Sequence, residues 1–98
     1  MEKNDQLLMQ LIYMFHTSAM QGLGKIADPT GQVSRNLEYV IQTIDLMEML
    51  KVKTKGNITD EIEKLLDGML SELRLNYVDE KANLENKVDE VTKKSDDK

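Results

Sequence analysis

His16 is the only histidine of the sequence, and there is no cysteine. Imidazole titrates near neutral pH and ligates metals, so chemistry is sought there first. No Glu-x-x-His, His-x-x-His or cysteine pattern accompanies His16. One chain therefore assembles neither a zinc site nor a bundle-type di-iron site around it. Ser18 lies two residues on, and that spacing points the two side chains to different sides of a helix rather than into a nucleophile–base pair. His16 reads as a packed or partly exposed side chain at the edge of an apolar face.

Two pairs of carboxylates come next. Asp45 and Glu48 lie three apart, Glu63 and Asp67 four apart, on segments that read as helices. Facing carboxylates on antiparallel helices can hold magnesium, which makes a metal-dependent hydrolase an alternative function. Against it, Glu63 and Asp67 project away from the apolar stripe of their helix. Glu48 falls inside an apolar face and is read as pairing with Lys51, one turn on, or as reaching out to water. The glycines around Lys25 lack the Gly-x-x-x-x-Gly-Lys-Ser/Thr pattern and form no phosphate loop. Lys51, Lys53 and Lys55 suit the negative end of a helix. No catalytic, cofactor-binding or metal-binding residue is assigned, and no cofactor is expected.

Composition narrows the classes further. The net charge is −5, the wrong sign for a nucleic-acid backbone binder, and one Phe, three Tyr and no Trp offer few stacking surfaces. No apolar run is long enough for a bilayer-spanning helix, and Met1-Glu2-Lys3-Asn4-Asp5 is not the positive start of a secretory signal. A cytoplasmic protein that binds neither nucleic acid nor membrane is the resulting expectation.

The elements follow from breakers and periodicity. Residues 22–36 hold three of the five glycines and the only proline, and Asp28-Pro29-Thr30-Gly31 fits a type I turn. Gly56 can close one helix in the left-handed conformation, and Thr59 can cap the next. No alternating run suggests a strand. Three helices are predicted, over about 5–22, 35–54 and 60–80, the last able to run on past 90. The first carries Leu8, Leu11, Ile12, Phe15, Ala19 and Leu23 on its main face. Leu7 and Met14 flank that face on one side, with Met9, Tyr13 and Met20 on the other. From Gln6 to Gly24 no residue is formally charged. The second helix presents Leu37, Val40, Ile41, Ile44 and Met47, with Tyr39, Leu46 and Leu50 nearly opposite. The third has one stripe through Ile62, Leu65, Leu66, Met69, Leu73 and Tyr77. From Asp79 to Lys98 twelve of twenty residues are charged, while Leu84, Val88 and Val91 continue the stripe. That segment is read as a helical extension, fraying near 90 into a disordered tail.

A helix apolar most of the way round should be buried most of the way round, and two further helices cannot cover it all. The rest calls for a partner, and a second copy of the chain is the simplest one. The residues expected at that interface are Leu7, Met9, Tyr13, Met14, Met20, Tyr39, Leu46 and Leu50. Seven methionines are read chiefly as gap fillers, though methionine surfaces also suit adaptable partners.

A family resemblance joins these features. Ala19-Met-Gln-Gly-Leu-Gly-Lys-Ile-Ala-Asp28-Pro-Thr-Gly31, then Asn36-Leu37, Thr43-Ile44-Asp45-Leu46-Met-Glu48-Met-Leu50, Lys53-Thr54-Lys-Gly56-Asn57-Ile58-Thr59, Leu65 through Leu73-Arg74, and Tyr77-Val78 resemble the bacterial family called domain of unknown function 1844. The likeness spans about residues 8–78. Ile62 stands where the family would place an acidic residue, which bears on the capping of the third helix. The resemblance implies a small bacterial helical protein and supplies no activity or catalytic residue.

The resulting reading is an all-α chain. Its fold is a three-helix up-down bundle, or helical hairpins assembled in a homo-oligomer, with a helical domain over 1–78 and a charged helical extension or tail over 79–98. The function expected is an oligomeric interaction or scaffold module without catalytic activity, a dimer being favoured and a further protein partner allowed. Besides the metal-dependent hydrolase, the other alternative is a carrier of an apolar small ligand, because an over-apolar helix could line a cavity.

Overall fold

The structure is a computed structural model. It describes the backbone of residues 2–96 and the side chains of residues 2–86. Those residues form three helices and no strand: α1 (Lys3–Gly22), α2 (Leu37–Thr54) and α3 (Asp60–Asp96). The third helix takes the longer of its two expected spans. It runs without a break past 80 and past 90, over 37 residues or about 55 Å. Val88 and Val91 lie on that helix, with their side chains outside the described residues.

Local chemistry sets the boundaries. At the end of α1, Lys25 N–H donates to Met20 O and Gly24 N–H to Gln21 O, with Gly24 at φ +76°. That pattern is a Schellman cap. The expected turn forms beyond it, with Gly31 N–H donating to Asp28 O. The Asp28 carboxylate accepts from the Thr30 hydroxyl, Thr30 N–H and Gln32 N–H. The hydroxyl bond leads in holding that carboxyl below its ordinary range, with the backbone donors in support. Asn36 caps α2 by accepting from Tyr39 N–H. This cap went unread in the sequence, although an asparagine directly ahead of an apolar periodic run is its usual signal. Gly56 takes φ +79°, as the turn required, and Thr59 caps α3 by accepting from Ile62 N–H. Ile62 itself is fully buried, so a core contact stands where a capping-box carboxylate would have been.

The helix directions follow from cross-helix contacts. Glu48 meets Arg74, and Lys51 Nζ lies 2.7 Å from Asp67 Oδ1, so numbers rise on α2 as they fall on α3. His16 Nε2 lies 3.6 Å from Glu72 Oε2, and Lys25 Nζ 3.0 Å from Glu80 Oε1, so α1 and α3 run the same way. The bundle is therefore up-down-up, one of the two arrangements expected. Its core joins Ile12, Ala19 and Leu23 to Val40, Ile44 and Met47 and to Ile62, Leu66, Leu70 and Leu73.

Three sequence readings change here. Leu11, placed on the buried face of α1, is 39% exposed. The buried sector centres on Ile12, Ala19 and Leu23, which leaves Leu11 at its rim. Glu48 pairs with Arg74 across to α3 instead of with Lys51 along α2. Asp67, expected to point away from the core, is half-buried on Lys51. Each carboxylate thus spans a helix seam that one-helix periodicity does not reveal.

Candidate interaction surface

The predicted interface residues divide in two. Met9, Met20 and Leu50 are half-buried and pack on the core, so much of their surface is already used within the chain. Leu7, Tyr13, Met14, Tyr39 and Leu46 are exposed, Met14 by 60% and Leu7 by 51%. Leu11 joins them as a residue the sequence reading had placed inside. Met49 and Val52 are exposed on α2 as well.

Position on each helix explains the division. At about 100° per residue, Gly22 lies on the side of α1 that meets α2, and Leu7, Leu11 and Met14 lie just outward of it. A Cβ built on Gly22 would fall 2.8 Å from Val40 Cγ2 and 3.4 Å from Tyr39 Cδ2, so Tyr39 borders the same seam from α2. Leu46 follows Tyr39 two turns later on the same side. His16 faces Glu72 of α3 from the opposite flank of α1. Leu7, Leu11 and Met14 of α1 and Tyr39 and Leu46 of α2 therefore edge one seam, on the side away from α3, while Tyr13 lies on the other flank of α1 and Val52 lines the α2–α3 cleft.

Beside that seam runs an open groove of about 420 Å³, lined by Gln10, Tyr13, Met14, Thr17, Ser18, Gln21 and Pro29. Pro29 belongs to the α1–α2 loop and walls the groove, which runs along α1 from Gln10 to Gln21. None of the lining residues is charged, in a chain where 32% are.

The loop is held from below. Glu80 of α3 is 5% exposed, its carboxylate 3.0 Å from Lys25 Nζ and 2.9 Å from Arg35 Nε. The two cations flank the loop that carries Pro29, so this carboxylate ties both loop ends to α3. Glu80 lies just beyond the 1–78 span assigned to the helical domain, and no periodicity marks a buried carboxylate. The only sequence signal was its fit to the core stripe, seven residues after Leu73.

The remaining polar candidates are dispersed. His16 is half-buried, and Ser18 lies on another side of α1. Asp45 is exposed. Glu63 and Glu48 border a second cleft, of about 350 Å³, with Lys51, Val52, Lys55 and Ile58 at the α2–α3 turn. Among the described residues, no group of three or more His, Asp or Glu comes together to hold a metal ion. No helix of the described residues is long and apolar enough to cross a membrane.

No curated protein and no solved structure matches the chain. The family model described as Domain of unknown function (DUF1844) matches residues 6–80, which takes in most of α1, all of α2 and the clamp at Glu80. The chain therefore belongs to that family.

Proposed function

We propose that this protein is a non-catalytic association module, working as a homo-oligomer through the outer face of α1 and the adjoining edge of α2. One observation carries the reading: an exposed helix edge bearing Leu7, Leu11 and Met14, on a helix with no charge from Gln6 to Gly24. Solvated helix faces carry charges, and interface centres are depleted of them. Copies with a net charge of −5 repel one another, and the repulsion is least across an uncharged face. The polar but uncharged Gln10, Thr17, Ser18 and Gln21 extend the uncharged area towards the roughly 800 Å² per partner of a standard interface.

Met14→Glu tests the reading. Met14 is exposed in the single chain, so the variant should fold with unchanged helical circular dichroism. A carboxylate trapped in an apolar interface costs several kcal/mol, enough to dissociate a small oligomer. Light scattering should report a larger species for the unaltered protein and a monomer for the variant. An unaltered protein that is monomeric at high micromolar concentration would end the proposal.

A further inference from the structure

The groove on α1 is completed by a residue from outside the helix, and what holds that residue's loop lies on α3. We infer that Glu80 is a positioning residue for association: by clamping the α1–α2 loop at both ends, it sets Pro29 against α1 and pre-forms the surface on which a second copy docks. The inference rests on the association proposed above and adds the residue that prepares its surface.

The loop consists of a bonded base and a bonded apex. At the base, Asn36 N–H donates to Gly22 O at 2.7 Å. The Arg35 stem lies over Gly24, where a Cβ would fall 3.2 Å from Arg35 Cγ. At the apex, Asp28 N–H donates to Gln32 O, and the Asp28 carboxylate accepts from Thr30 and Gln32. Pro29 belongs to this apex and lines the groove beside Met14, Thr17 and Ser18.

The links between base and apex are different. Ile26 and Ala27 on one side, and Val33 and Ser34 on the other, are exposed and make no hydrogen bond among the described residues. The apex therefore hangs from Lys25 and Arg35. Those are the two residues that Glu80 holds, at 3.0 Å and 2.9 Å. Glu80 does not line the groove itself, so it reaches a partner only through the loop. A surface ordered before binding spares the complex the cost of ordering it. Releasing the clamp adds that cost to association while the helix face stays as it was.

Sedimentation equilibrium on the full chain tests this, with circular dichroism melts alongside. Glu80→Gln should weaken the dimer about tenfold, and Pro29→Ala by a comparable factor. The double variant should be about as weak as the weaker single variant, because both changes remove the same wall. Ile62→Val lowers stability in the core near the start of α3, without touching the loop, and should leave the dimer as tight as before. If Glu80→Gln does not fold, Arg35→Gln opens the exposed half of the clamp and should weaken the dimer several-fold. A clamp variant as tight as the unaltered protein or tighter overturns the inference. So do multiplying effects in the double variant, or equal weakening by Ile62→Val. Each of these leaves association standing, whereas an unaltered protein that stays monomeric ends both.

Discussion

Gly22 and Gly68 are both helical glycines, and their surroundings give them opposite roles. A Cβ on Gly22 would lie 2.8 Å from Val40 Cγ2 and 3.3 Å from Asn36 O, and Val40 is fully buried. Asn36 N–H also donates to Gly22 O at 2.7 Å, so the two backbones touch where α1 hands over to α2. Overpacking there costs roughly 1–3 kcal/mol, against a helix-propensity gain of up to about 1 kcal/mol for alanine. Gly22→Ala should therefore lower stability by about 1 kcal/mol. Gly68 is exposed, with nothing within 4 Å of the place a methyl would take, and only the propensity gain applies. Gly68→Ala should raise stability by about 0.5–1 kcal/mol. Urea unfolding of both variants checks the pair, and a Gly22→Ala protein as stable as the unaltered one would mean that Val40 has room to retreat.

The element most dependent on its neighbours is the α1–α2 loop. Its turn is locally specified by Asp28, Thr30 and Gly31, but its seat on the bundle depends on Glu80. Removing that charge leaves two cations without their carboxylate. The Lys25 and Arg35 side chains are 40% and 38% exposed, so water compensates in part. Glu80→Gln should cost about 1–2 kcal/mol, less than a fully buried pair would. Truncation gives the same answer from the other direction. Ending the chain after Asn86 keeps the Glu80 clamp and should leave the unfolding midpoint nearly unchanged. Ending it after Val78 should lose at least as much as Glu80→Gln. Equal midpoints for the two truncations would show that the clamp contributes nothing to stability.

Among the described residues, the ion pairs and the uncharged outer side of α1 lie apart. Ion pairs fasten α3 to α1 and α2 through Glu72, Asp67, Arg74 and Glu80, while the far side of α1 carries none. Two copies meeting on that far side form an interface without ion pairs, against a background of like net charge. Salt then screens repulsion and breaks no attraction. Raising salt from low concentration to about 0.5 M should leave the dimer unweakened or tighten it, as sedimentation equilibrium would read. A marked weakening would point to paired charges at the interface and away from the α1 face.

The sequence by itself determined the three helices, their order and most of the core, because apolar spacing and helix caps are local properties. Gly56, Thr59 and the Asp28–Gly31 turn were legible for the same reason, as was the family. The uncharged stretch of α1 was also plain, but not which part of it stays open. Tertiary packing decided that: it covered Met9, Met20 and Leu50, exposed Leu11, and raised Pro29 beside the face. It also chose the partners of Glu48, Asp67 and Glu80, each of which crosses to another helix. A helical wheel states which way a side chain points and leaves open what stands opposite, and both the groove and the clamp are made of what stands opposite.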